Sequence, residues 1–184
     1  MGEYCGIDDF KEILFTKDQI AEMTKLLGEK ITQDFHGEEL IVMGLLKGSF
    51  IFMADLLRQI KLNCIIDFMA VSSYGIGTES LGRVNILKDI SESVLGKNVL
   101  IVEDIIDSGV TLSFIVNHIK NKGAKTVNLC TLINKPERRK KDVDVKYIGA
   151  DIPNEFVAGY GMDYAERYRN LPFIGILKEE IYSN

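Results

Sequence analysis

Tryptophan is absent from the 184 residues, and proline (3), cysteine (3) and histidine (2) are scarce. Little proline together with 46% hydrophobic and 27% charged residues excludes the disordered and low-complexity profiles. A chain of this length buries roughly 70% of its unfolded surface, so a compact globule with a sizeable core is expected. The cysteines, Cys5, Cys64 and Cys130, are odd in number and far apart, which excludes a disulfide framework and points to a reducing compartment. His36 and His118 stand alone, without Cys or carboxylate partners at zinc spacing, and read as surface or helix-end residues. Long apolar runs are missing too: the most apolar helix candidate, Leu45 to Leu57, is interrupted by Lys47 and Asp55 and is too short to span a bilayer. Met1 to Phe10 carries no basic segment followed by an apolar stretch, so a cytoplasmic location and no membrane partner are expected. The formal charge of -5 gives no overall reason to bind nucleic acid, so any polyanionic ligand must be held by local groups.

Several nucleotide and hydrolase signatures are missing as well. No G-x-x-x-x-G-K-[ST] occurs, since the run from Gly44 to Ser49 has the wrong spacing, which argues against a nucleoside triphosphatase. The segment Gly75 to Ser80 is not G-x-G-x-x-G and opens no helix, so a dinucleotide fold lacks its fingerprint. There is no G-x-S-x-G elbow or Cys/His nucleophile pattern, no internal repeat and no Ser/Pro-rich linker, so residues 1–184 are expected to form one domain.

What is present is an alternation of strands and helices. Thr16 with Gln19 makes a capping-box pattern, and Ile20, Met23, Leu27, Ile31 and Phe35 recur at helical spacing, predicting a helix over Lys17 to Phe35. Apolar runs of strand length follow at Leu40 to Leu46, Cys64 to Ser72, Val99 to Val102 and Val127 to Ile133. Phe50 to Ile60 and the stretch marked by Leu112, Ile115, Val116 and Ile119 read as helices between them. Such alternation implies parallel strands with crossover helices, hence an α/β fold. The short runs at Tyr147 to Ile152, Glu155 to Gly159 and Phe173 to Leu177 are broken by Gly, Pro and Asn and are expected to cap the sheet's edge.

Chemistry concentrates in Asn98 to Leu112, NVLIVEDIIDSGVTL. Glu103 and Asp104 are expected to follow directly on the end of a buried parallel strand, the edge at which open α/β sheets bind ligands. An acidic pair can accept hydrogen bonds from a vicinal diol or hold a divalent cation. Asp107, Ser108, Gly109, Val110 and Thr111 supply hydroxyls and backbone N–H groups where a helix presents its N-terminus. The pattern is that of a sugar-phosphate cradle.

The stretch VEDIIDSGVTL resembles the phosphoribosyl-pyrophosphate motif of the hypoxanthine-guanine phosphoribosyltransferases, and the likeness covers nearly the whole chain. Leu46-Lys47-Gly48-Ser49 resembles that family's pyrophosphate loop, and Ser73-Tyr74-Gly75 its lid. Lys135 resembles its base-reading lysine, while Phe156 to Tyr160 and Asp163 resemble its purine-stacking and metal-binding tail. Ser108 stands where many members carry Thr, which keeps the hydroxyl. The resemblance implies a type I phosphoribosyltransferase fold, a mainly parallel sheet with a core at about 37–150 and a small hood from about 1–15 and 151–184. It implies a Mg²⁺-dependent purine-salvage transferase joining hypoxanthine or guanine to phosphoribosyl pyrophosphate, assembled as a homodimer or homotetramer.

By the same resemblance Glu103 and Asp104 hold the ribose hydroxyls directly or through Mg²⁺, with Asp163 at a second metal site. Asp107 faces N7 of the purine, and Ser108 to Thr111 take the 5′-phosphate. Lys47, Gly48, Ser49 and Arg169 take pyrophosphate, with a cis peptide implied before Lys47. Lys135 donates to O6, which disfavours adenine; Phe156 stacks on the base and Val157 reads its far edge. Arg138, Arg139, Lys140 and Lys141 read as a solvated basic loop. Two alternatives stay open: a xanthine-preferring transferase differing around Val157 and Asp163, and an RNA-binding regulator on the same fold that uses the Lys135 to Lys141 cluster.

Overall fold

The computed structural model describes residues 6–73 and 84–183. In chain order they form β1 (Phe10–Phe15), α1 (Lys17–Asp34), β2 (Leu40–Leu46), α2 (Phe50–Gln59), β3 (Cys64–Ser73), β4 (Val84–Lys88) and β5 (Asn98–Ile106), then α3 (Val110–Asn121), β6 (Thr126–Asn134), β7 (Tyr147–Asp151), β8 (Val157–Ala158), β9 (Ile174–Leu177) and α4 (Glu179–Tyr182). The capping box forms as expected: Gln19 N–H donates to Thr16 Oγ1 at 3.3 Å and Thr16 N–H to Gln19 Oε1 at 2.9 Å.

Six strands make the main sheet in the order β4-β3-β2-β5-β6-β7, parallel except for β4, which runs antiparallel to β3. At its centre β2 and the Val99 to Val102 stretch of β5 carry no polar side chain, because both faces are covered there. Leu40, Val42, Leu100 and Val102 pack against Ile20, Leu27, Ile31, Phe52 and Leu56 of α1 and α2. The alternate residues Ile41, Met43, Val99 and Ile101 pack against Leu112, Ile115 and Ile119 of α3 on the other face. From β2 the chain moves outward to β3, then returns to the other side of β2 for β5, β6 and β7. The direction of winding therefore reverses between β2 and β5, and the crevice beyond their C-terminal ends is where such sheets bind ligands.

A second sheet, β1-β9-β8, is antiparallel and forms the hood. Phe10 anchors it, buried edge-on against Tyr168 and Phe173 with ring centroids 5.4 Å away in both cases. Val157, Ile174 and Ile176 turn the other way into the core of the main sheet, so the hood is fastened over it.

Three expectations are corrected. Glu103 and Asp104 lie inside β5, not after it, because β5 goes on pairing with β6 at Glu103, Ile105 and Ile106 beyond its last partner on β2, Gly44 opposite Val102. Tyr147 to Asp151 belongs to the main sheet: β7 pairs in parallel with β6, and buried Tyr147 donates from its hydroxyl to Asp34 Oδ2 at 2.8 Å. The strand β4 was not anticipated, since it is short, mostly exposed and lies next to residues outside the described set.

Candidate active site

The loop after β2 and the loop after β5 meet at the crevice. The peptide bond between Leu46 and Lys47 is cis, as the resemblance implied. Gly48 lies so close to β5 that a methyl group on it would collide with the Asp104 carboxylate, which is why glycine is needed there. Ser49 is fully buried and faces the fold, its hydroxyl donating to Leu45 O at 2.7 Å and its N–H to the same oxygen at 3.3 Å. Lys47 and Gly48 are thus the residues of this loop that front the crevice.

Asp104 is buried and Glu103 half-buried, and no cationic side chain is bonded to either among the described residues. Glu103 Oε2 has no hydrogen-bond partner, and burial first, then the neighbouring Asp104 charge, holds this carboxyl well above the usual range. Asp104 is pushed up to about 6, chiefly by burial and further by Asp163, although the N–H groups of Ile105 and of Asp104 itself and the Arg169 charge favour its ionised form. An unpaired buried carboxylate oxygen beside a raised carboxyl is chemically suited to a divalent cation or a vicinal diol. Among the described residues no three His, Cys, Asp or Glu side chains converge as a metal cage. The donor set suits a hard divalent ion held by one or two carboxylates and completed by substrate oxygens and water, as Mg²⁺ prefers.

Beyond β5 the chain turns through Asp107, Ser108 and Gly109 into α3. Gly109 has φ 76°, and a side chain there would strike Lys141 O, so the turn requires glycine. The first amides of α3 have no intrahelical acceptor and open on the crevice. Ser108 Oγ accepts weakly from Val110 N–H at 3.4 Å.

The basic segment 138–141 is solvent-exposed as expected, with only Arg139 half-buried, but its backbone is tied to the turn before α3. The N–H groups of Lys140 and Lys141 both donate to Ser108 O at 3.0 Å. Arg139 lies against Gly109 and donates to Asn134 Oδ1, while Arg138 Nε sits 2.8 Å from Asp107 Oδ1 as a charge contact without hydrogen-bond alignment. The segment clamps the phosphate-side turn.

A cavity of about 200 Å³ joins these parts, lined by Asp104, Asp107, Lys135, Phe156, Val157 and Asp163 among others. Lys135 is buried, its Nζ donating to Glu155 O at 2.6 Å; burial lowers its pKa, partly offset by the Asp107 charge. Phe156 stacks on Tyr182 of α4 at 4.6 Å with the rings 16° apart, yet stays 37% exposed on the cavity side of the hood. A larger cavity of about 400 Å³ lies elsewhere, between α1, α2 and the tail. Asp55 is the only carboxylate among its lining residues, whereas Asp104, Asp107, Asp163 and Lys135 converge on the smaller one, so chemistry selects the latter.

At the tail, Arg169 Nη2 lies 2.8 Å from Asp163 Oδ1 and Nη1 donates to Gly161 O at 2.8 Å. The structure therefore gathers Asp104, Asp107, Lys135, Phe156, Val157 and Asp163 around one cavity, with Gly48 against Asp104, Arg169 paired with Asp163 and Lys47 joined to Arg169 through Glu166; Glu103 and Ser108 to Thr111 adjoin it in sequence but do not line it. Of the lid, Ser73 ends β3, whereas Tyr74 and Gly75 lie outside the described residues. The contacts of Arg138, Tyr182 and Glu166 were missed: each has a partner distant in sequence, Asp107, Phe156 and Lys47 respectively, that no local pattern marks. His118, read as isolated, is a helix-end residue whose Nε2 lies 3.0 Å from Asp89 Oδ2.

Comparison with known proteins agrees with this geometry. Residues 9–165 match the family model described as "Phosphoribosyl transferase domain". The chain is 49% identical over 177 residues to the hypoxanthine-guanine phosphoribosyltransferase of Staphylococcus aureus, covering 96% of this chain and 99% of that one. It superposes on a crystal structure of the S. aureus hypoxanthine phosphoribosyltransferase with a TM-score of 0.97 and 47% identity, covering 100% of both chains. A Bacillus anthracis hypoxanthine-guanine phosphoribosyltransferase structure gives 0.86 with 49% identity, covering 92% of this chain and 99% of that one.

The chain belongs to the phosphoribosyl transferase family, with a type I fold of a mostly parallel sheet and a small antiparallel hood. Within that family its relatives are hypoxanthine-guanine phosphoribosyltransferases, and it is an enzyme of purine salvage.

Proposed function

We propose that this enzyme transfers the phosphoribosyl group of phosphoribosyl pyrophosphate to N9 of hypoxanthine or guanine, giving the nucleoside monophosphate and pyrophosphate. One observation carries the reading: Lys135 and Asp107 share a single cavity with the hood's Phe156, next to the acidic pair at the point where the sheet's winding reverses.

The first amides of α3 and the Ser108 and Thr111 hydroxyls bind the 5′-phosphate. Glu103 and Asp104 orient the ribose hydroxyls, while Lys47, Gly48 and Arg169 receive pyrophosphate. Mg²⁺, when bound by these carboxylates and Asp163, offsets the charge of the leaving group. Lys135 donates to the 6-oxo group, and an adenine amino group there would set two donors face to face, which disfavours that base. Phe156 stacks on the ring and Val157 reads its far edge. As the C1–N9 bond forms and the C1–O bond to pyrophosphate breaks, positive charge grows on the sugar. Carboxylates already in place stabilise it without reorganising, and Asp107 accepts the proton leaving N7.

The reaction is placed in the cytoplasm, in keeping with the unpaired thiols of Cys64 and Cys130. Assembly as a homodimer or homotetramer would cover exposed apolar residues such as Phe50 and Ile66, and light scattering reads it directly. The overall charge of -5 speaks against nucleic acid as the main partner, although the side chains of Arg138, Lys140 and Lys141 are exposed. The deciding experiment supplies hypoxanthine, guanine, xanthine and adenine separately with phosphoribosyl pyrophosphate and Mg²⁺. Consumption of hypoxanthine and guanine with pyrophosphate release, abolished by excess EDTA, is expected; consumption of xanthine first, or of none, overturns the reading.

A further inference from the structure

The two cations assigned to pyrophosphate already share an anion. Lys47 Nζ donates to Glu166 Oε2 at 2.9 Å, and Arg169 Nη2 lies 3.4 Å from the same oxygen. One carboxylate oxygen thus sits between a lysine from the loop after β2 and an arginine from the tail. The backbone holds it there: Glu166 has φ 62°, a left-handed conformation that non-glycine residues seldom adopt, and its N–H donates to Asp163 Oδ2 at 2.9 Å. Asp163 in turn pairs with Arg169, so the same turn fixes both Glu166 and its cation. The arrangement leaves Arg169 incompletely used, because its Nε is buried with no hydrogen-bond partner. Glu166 as placed, with Oε2 shared between Lys47 and Arg169 Nη2, leaves that donor unmade, whereas a diphosphate has oxygens enough to take it together with Lys47.

We propose that Glu166 is an internal stand-in for pyrophosphate: its carboxylate occupies Lys47 and Arg169 in the ligand-free enzyme and must be displaced when the diphosphate binds. This rests on the reading of Lys47 and Arg169 as pyrophosphate contacts. The stand-in keeps two cations gathered at a site that would otherwise scatter them by mutual repulsion. It also competes with product pyrophosphate and so favours its release. The competition is mild, because the Lys47 and Glu166 side chains are 66% and 65% exposed and such pairs are weak and screened by salt.

Calorimetric titration of wild type, Glu166→Gln and Lys47→Ala with pyrophosphate at fixed Mg²⁺ tests the proposal, with nucleoside monophosphate binding as the check that each variant is folded. Lys47→Ala weakens pyrophosphate binding, whereas Glu166→Gln tightens it by about two- to five-fold at low salt, a gain that shrinks as salt is raised. Unchanged or weaker binding by Glu166→Gln, with Lys47→Ala still weakened, overturns the stand-in and leaves the pyrophosphate site intact. Full affinity in Lys47→Ala overturns the site assignment itself, and the stand-in falls with it.

Discussion

Single residues in this crevice pay for function in stability, and Asp104 shows the effect most directly. Its carboxyl is pushed from an ordinary 3.8 to about 6, mainly by burial, a shift equivalent to about 3 kcal/mol. A raised folded-state value means that the folded protein holds a proton the unfolded chain has lost, so stability falls as pH rises from about 4 through 6. Asp104→Asn should therefore stabilise the ligand-free enzyme by about 1–3 kcal/mol at pH 7.5, with the gain shrinking between pH 6 and 5, while activity is lost. Thermal melts across that range check it; equal melting at every pH would mean that the carboxyl is not strained. Asp107→Asn should lower kcat by about 10²- to 10⁴-fold with little change in phosphoribosyl pyrophosphate affinity, since the carboxylate acts on the base. Steady-state rates beside a binding isotherm separate the two effects. Lys135→Met removes a buried donor of similar length and should reduce kcat/KM for hypoxanthine about 10- to 100-fold, leaving pyrophosphate affinity in place. Equal losses in both would show that the lysine does not read the base.

Among the elements, the strand-to-helix turn between β5 and α3 concentrates the constraints. Gly109, at φ 76°, lies against Lys141 O, and Ser108 O receives the two amides of Lys140 and Lys141. Gly109→Ala adds a side chain that the conformation and the neighbour both reject, at a cost of more than about 1 kcal/mol. It should weaken phosphoribosyl pyrophosphate binding by about ten-fold, measured by equilibrium titration; unchanged affinity would mean that the turn does not hold the phosphate. The elements legible in the sequence were those with strong local signals. The helix α1 carries a capping box and a full apolar stripe, β2 is an unbroken apolar run and β6 a mostly apolar one. By contrast β5 looked four residues long because its polar end is specified by pairing with β6, which no local pattern records. In the same way Tyr147 to Asp151 looked like part of the cap, since broken, short strands carry no mark of the sheet they join.

At the scale of the molecule, the purine cavity is a seam. Lys135 and Asp107 come from the main sheet, Phe156 and Val157 from the hood, and the hood is held partly by Phe10, whose ring is buried against Tyr168 and Phe173. Phe10→Ala should cost about 3–5 kcal/mol and loosen the hood relative to the sheet. KM for hypoxanthine should then rise more than KM for phosphoribosyl pyrophosphate, because the phosphate turn belongs to the sheet alone. A parallel rise in both constants would indicate general destabilisation.

What the amino-acid order determined by itself was the chemistry held in short contiguous stretches: the acidic pair, the Asp107 to Thr111 turn, the Lys47 loop and the strand and helix alternation that sets them at one edge of a parallel sheet. These need only local backbone geometry and the period of apolar residues. Tertiary structure alone decided that Ser49 faces inward, that Arg138 meets Asp107, that Tyr182 backs Phe156 and that Glu166 stands between Lys47 and Arg169. Arg138 with Asp107, Tyr182 with Phe156 and Glu166 with Lys47 are contacts between residues remote in the chain, and even the inward turn of Ser49 depends on how its loop is set against the fold; direction and partnership of this kind arise from packing, which no window of neighbouring residues contains.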